Sequence, residues 1–126
     1  MGKSYRDLIA WQKGIELVAA IYRETKAFPP DEIFGLTSQL RRASVSIPSN
    51  IAEGQARKST GEFKHFLHLA LGSLAEVETQ LTITAVLVYL PQRRVDELLL
   101  ITNELGRILN GLLNAVSDHI TDLAYQ

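Results

Sequence analysis

Leu36, Leu40, Ala43, Ile47 and Ile51 recur at intervals of three and four residues, the apolar face of a helix, and that face passes straight across Pro48. A helical proline has no N–H to give the carbonyl of Ser44, and its ring crowds that carbonyl. The defect costs roughly 3 kcal/mol where nothing compensates. Ser44, Ser46, Ser49 and Asn50 surround the proline with short polar side chains able to bond freed backbone groups. Residues 34–56 therefore predict one helix kinked at Pro48 rather than two separate pieces.

The rest of the chain must supply partners for that face. At 126 residues it fits a single domain, 1–126, long enough to bury a core without metal or disulfides. It contains no cysteine, which excludes disulfides, thiolate zinc sites and cysteine nucleophiles and points to the cytoplasm. The N-terminus lacks the apolar stretch of a signal peptide, and the longest apolar run, 81–90, is too short to span a bilayer, so no membrane role is expected. Met1 and Gly2 suggest myristoylation, but Arg6 stands where that motif needs Ser or Thr. Gly2, Lys3 and Ser4 echo only the end of a phosphate-binding loop, without its upstream glycine.

Four helices follow from periodicity, giving an all-α chain. The first is predicted over Tyr5–Ala27, with Leu8, Trp11, Ile15, Val18 and Tyr22 as its core seam and Phe28, Pro29 and Pro30 as its stop. Leu17 and Ile21 form a second stripe, assigned to another subunit. The Pro48 helix runs to about Ala56, with Gly54 either an early end or a point of close packing. Ser59 and Glu62 make a capping box that starts the third helix, whose seam is Phe63, Leu67, Ala70, Leu74, Val77, Leu81 and Val88. The β-branched stretch 81–90 reads as its continuation, because the helical phase holds through it. A fourth helix is expected over Arg93–Leu123, with Gly106 and Gly111 as candidate points of close backbone approach and the tail from Thr121 fraying. Apolar residues cover more of the last two helices than one bundle can bury. Ile83, Leu87 and Leu100, with Leu17 and Ile21, are therefore candidate oligomer contacts.

Two blocks carry a family resemblance. Leu36, Gln39, Leu40, Arg41, Arg42, Ala43, Ser46, Ile47, Pro48, Asn50, Ile51, Ala52, Glu53 and Gly54 form the first. Phe66, Leu67, Ala70, Gly72, Ser73, Leu74, Glu76, Glu78, Thr79 and Gln80 form the second. In these positions the chain resembles the four-helix-bundle family named after the 23S rRNA intervening-sequence protein. The resemblance implies an antiparallel up-down-up-down bundle assembling as a homopentamer, with no settled activity. The fold it implies is also similar to that of the accessory variability proteins of diversity-generating retroelements, which work with nucleic acid and a reverse transcriptase.

Few of the polar residues stand in a pattern suited to chemistry. Glu62 and His65 give one Glu-x-x-His spacing, but a di-iron bundle needs two such pairs and two further glutamates, which the sequence lacks. His65 and His68 share a helical face, and His119 stands alone; surface histidines of this kind usually bind nothing. Nothing resembles a nucleophile elbow, so neither enzymatic activity nor a cofactor is expected. Along the second helix Arg42, Ser46, Ser49 and Glu53 form one strip, and Ser73, Glu76 and Gln80 form another on the third. Facing strips would pair Arg42 with Glu76 or Glu78 and let Asn50 or Gln80 bond the backbone freed by Pro48. Such networks commonly do no more than fix helix register.

Two functional readings follow. The net charge is only −1, but residues 41–64 hold Arg41, Arg42, Arg57, Lys58 and Lys64 against Glu53 and Glu62. Repeated by symmetry, Arg41, Arg57, Lys58 and Lys64 at one bundle end would make a basic ring for RNA or DNA, the mark of a nucleic-acid or ribonucleoprotein adaptor. A basic zone of this size is also an ordinary solvated surface. The alternative is a protein-protein scaffold without nucleic acid, for which Tyr5, Arg6, Trp11 and Phe28 are candidate anchors to an unknown partner.

Overall fold

A computed structural model describes residues 4–124, with side chains as far as Val116. Ser4 opens it by capping a 3-10 turn over Tyr5–Asp7. The Ser4 hydroxyl accepts from the Arg6 N–H at 3.1 Å, and the Ser4 N–H donates to the Asp7 carboxylate at 3.1 Å. Leu8 is extended, so the first helix, α1, begins only at Ile9 and runs Ile9–Thr25. Pro29 then blocks continuation, and a second 3-10 turn covers Pro30–Glu32. Helix α2 spans Leu36–Gln55, α3 Thr60–Val86 and α4 Gln92–Ala124; no strand occurs among the described residues. Each helix packs on two others, α1 and α3 both flanked by α2 and α4, and the core fills the space between. Met1, Gly2 and Lys3, with the motif fragments noted there, lie outside the described residues, as do the side chains of His119 and the tail from Thr121.

Helix α2 passes through Pro48 without interruption. The side of the ring is buried against α1, where Gly14 makes room for it: a Cβ at Gly14 would stand 3.3 Å from both Cβ and Cδ of Pro48. This contact decides which side of α1 faces inward, and it reverses the expectation. Ala10, Gly14, Leu17 and Ile21 are the buried stripe, with Leu17 and Ile21 fully covered inside the single chain. They are core residues and cannot serve as oligomer contacts. Ile15 and Tyr22, expected on the core seam, are exposed, and Trp11 and Val18 are half-buried at its edge. Both stripes are apolar; the one carrying small residues allows the backbones closest together and was buried.

Glycine also sets the α2–α3 contact, at a different position from those expected on α4. A Cβ at Gly54 would fall 2.5 Å from Phe66 Cβ and 3.1 Å from Phe63 Cδ1, so Gly54 is a point of close packing. Gly106 has only ordinary contact with Leu74 at 3.5 Å, and Gly111 meets nothing within 4 Å. The Ser59 cap forms as expected at its hydroxyl, which accepts from the Glu62 N–H at 3.1 Å; the Glu62 carboxylate accepts from the Ser59 hydroxyl at 3.2 Å rather than from the Ser59 N–H.

Helix α3 stops short of the sequence expectation. The Tyr89 N–H donates to the Thr84 carbonyl at 3.1 Å and the Val88 N–H to the Ala85 carbonyl at 3.1 Å, the paired bonds that close a helix through one left-handed residue. Val88 occupies that position, at φ 57°, where glycine is usual. It is 78% exposed rather than part of the seam. Pro91 follows the turn, and the buried Val95 and Leu98 return the chain to the core.

Candidate functional site

The four basic candidates do not form one surface. Arg41 and Arg57 are separated by 16 positions of α2 and its end, about 24 Å at the rise of a helix. Arg41 is folded onto α1: its Nε donates to Thr25 Oγ1 at 2.8 Å and its guanidinium lies 4.6 Å from the Tyr22 ring centroid. Arg57 pairs with Glu53 at 3.3 Å and Glu62 at 3.9 Å and stacks over Phe66 at 4.9 Å, so two carboxylates offset its charge. Lys58, exposed in the α2–α3 turn, and Lys64, half-buried two turns later, have no carboxylate partner among the described residues. The cationic zone at this end is therefore two lysines beside an internally paired arginine.

The polar strips of α2 and α3 do face each other. Ser46 and Ser73 share a hydrogen bond of 2.8 Å through their hydroxyls. Asn50 Nδ2 donates to the Ser46 carbonyl at 2.8 Å and to Ser46 Oγ at 2.9 Å, so neither Asn50 nor Gln80 serves the Ser44 carbonyl opposite Pro48. Gln80 is buried, and its Oε1 lacks a partner. Arg42 and Glu76 line one concavity of about 350 Å³ with Gln39, Ser46 and Ser73, yet form no ion pair. Glu78 lies on the other side of α3, beside Asn103 and Arg107 of α4, and does not meet Arg42 either. The helix-register role of the strips rests on the serine pair alone. Among the described residues no group of three histidine, aspartate or glutamate side chains is placed to hold a metal ion.

The opposite end combines a polar clasp with exposed apolar side chains. Tyr89 donates its hydroxyl to Glu32 Oε2 at 2.6 Å, Glu32 Oε1 accepts from the Leu36 N–H at 3.1 Å, and the Phe28 and Tyr89 rings meet at 5.5 Å. The Tyr89 hydroxyl and the Leu36 N–H hold the Glu32 carboxyl below its usual range; in return the carboxylate raises the Tyr89 hydroxyl. Nearby, Nε and Nη2 of Arg94 donate to the two oxygens of the Glu24 carboxylate, tying α4 to α1. The clasp places the segment before α2 beside the α3–α4 turn. On either side of the clasp Ile33, Phe34, Val86, Leu87 and Val88 are each exposed, with Phe34 at 95% the most exposed large apolar residue described. Ile83 and Leu100, expected at an oligomer contact, are also exposed, Leu100 at 68%. Phe28, a candidate anchor, is instead buried. Phe34 drew no notice in the sequence because, within the helix predicted over 34–56, it lies off the apolar face of Leu36, Leu40, Ala43 and Ile47; α2 in fact begins only at Leu36.

A second apolar surface lies between α1 and α2. Tyr5, Trp11, Ile15 and Val18, with Val45, Pro48, Ser49 and Ala52 of α2, line a groove of about 290 Å³ whose aromatic wall is the edge-on pair Tyr5 and Trp11, 5.4 Å between centroids.

Comparison with known proteins agrees with this architecture. Residues 6–111 match the model of the 23S rRNA-intervening sequence protein family. A crystal structure from Bacteroides thetaiotaomicron, of a protein with unknown function from the S23 ribosomal protein family, superposes with a TM-score of 0.77 at 22% identity, covering 83% of this chain and 98% of that one. That likeness concerns the fold. No curated protein matches the sequence. None of the described helices is long and apolar enough to cross a membrane.

Proposed function

Because this chain belongs to the 23S rRNA-intervening sequence protein family and leaves so much apolar surface uncovered, we propose that it is a non-enzymatic, self-associating helical scaffold of the cytoplasm. The supporting observation is at the end of the bundle where Tyr89 bonds Glu32: Phe34, Val86, Leu87 and Val88, all within three residues of that pair, are exposed. Exposed large apolar side chains concentrated at one end of a bundle mark an interaction site. In this reading the helices alternate in direction, Pro48 bends α2 around the core, and the copies close into a ring, five in number as the family resemblance implies. Replacing Leu87 and Leu100 with lysine tests it. Both side chains are exposed, so the variant should keep its helix content, and its sedimentation coefficient should fall to that of a single chain. Unchanged sedimentation would remove the apolar end from the interface.

A second reading, binding of RNA, is supported by Lys58 and Lys64, which lack carboxylate partners, and by the name of the family. Arg57 and Arg41 contribute little to it, since both are engaged within the chain. Titration of labelled structured RNA and of duplex DNA across a salt series distinguishes the readings. An electrostatic binder weakens steeply with salt. Changing Lys58 and Lys64 to alanine should flatten that slope by about one unit for each phosphate the protein no longer neutralises. Absence of binding at low salt leaves the scaffold reading alone.

A further inference from the structure

We infer that Phe34 of one copy seats in the α1–α2 groove of a second copy, so that subunits join head to flank. The inference rests on the self-association reading and names its contact. Phe34 is a fully displayed ring on a segment anchored by Glu32, and the groove bounded by Tyr5, Trp11, Ile15, Val18, Pro48 and Ala52 is an apolar recess with an aromatic wall. Aromatic pairs of this kind gain from edge and offset contact as well as from burial. The two surfaces do not meet within one chain: Val45, the groove residue of α2 nearest to Phe34, is 9 positions along α2 from Leu36, about 14 Å of helix and farther than a phenylalanine side chain reaches.

Charge agrees with the same pairing. Asp31, exposed three residues before Phe34, has no cationic partner among the described residues. Arg6, at the groove edge, stacks on Tyr5 at 4.8 Å from the ring centroid and has no carboxylate partner there. A carboxylate therefore flanks the inserted side chain, and a guanidinium flanks the receiving groove. Because the two patches differ, the contact is heterologous, and repetition makes a closed ring or an open filament rather than a symmetric pair.

Mixing variants that each lack one half of the contact provides the test. Phe34→Ala keeps the groove and removes the ring; Ala52→Arg keeps the ring and fills the groove, with Val45→Arg at the same groove as a second blocking variant. Light scattering should find each variant alone as a single chain, and the equimolar mixture of Phe34→Ala with either blocked chain as a heterodimer that grows no further. Asp31→Arg should weaken assembly about tenfold, and adding Arg6→Asp in the same chain should restore it. Circular dichroism confirms that each variant remains helical. If Phe34→Ala assembles like the unaltered chain, or the mixture gives no heterodimer, this contact is wrong while self-association stands. If the unaltered chain is itself a single chain at micromolar concentration, both readings fall.

Discussion

Single atoms decide how closely these helices approach. At Gly54 an added methyl would meet Phe66 Cβ, which is tied to the α3 backbone, so Gly54→Ala must push α2 and α3 apart. The expected cost is about 1–3 kcal/mol, read from urea denaturation. Gly111→Ala meets nothing within 4 Å and should stabilise α4 by about 0.5–1 kcal/mol through reduced backbone freedom in the unfolded chain. Val88 holds a left-handed conformation that a β-branched residue resists while its side chain is largely exposed. Val88→Asn should therefore gain about 1 kcal/mol in the same assay. These positions show what the sequence could and could not tell. Glycines stood out by type, but Gly14 and Gly54 differ from Gly106 and Gly111 only in which neighbour faces them. That is a property of three-dimensional packing.

At the scale of elements, period and capping signals placed four helices, and they were right about the passage of α2 through Pro48 and the Ser59 start of α3. Two signals misled. The two apolar stripes of α1 were of similar strength, and the contact of Gly14 with Pro48, rather than hydropathy, chose Leu17 and Ile21 for the core. The helical phase of α3 continued past Val86 in sequence, yet the turn at Val88 ended the helix. The basic cluster was adjacent in sequence but divided in space by the length of α2. The Glu32–Tyr89 clasp joins residues 57 positions apart and left no local trace. Its titration has a definite sign. Glu32, lowered in the folded chain, contributes stability above its unfolded value that is lost as pH falls through the lower folded one. Tyr89, raised, contributes stability below its unfolded value that is lost as pH rises through the higher folded one. Tyr89→Phe removes the leading cause of the Glu32 shift. Glu32 should then titrate at a higher pH, closer to its usual range, and the alkaline loss belonging to Tyr89 should vanish. Thermal melting across pH follows both limbs; an acid limb identical to that of the unaltered chain would show that the hydroxyl does not hold Glu32.

For the whole molecule, the excess of apolar surface was legible in composition and periodicity, whereas its location at one end and along one groove was not. Ile83, Leu87 and Leu100 were found because they continue a helical pattern; Phe34 and the groove depend on how segments distant in sequence come together. Self-association is the claim on which the scaffold reading and the head-to-flank contact both depend. Molar mass by light scattering across a micromolar concentration range tests it most directly. The expected result is a stable species at an integral multiple of the 14.0 kDa chain; a mass of one chain throughout that range would contradict it.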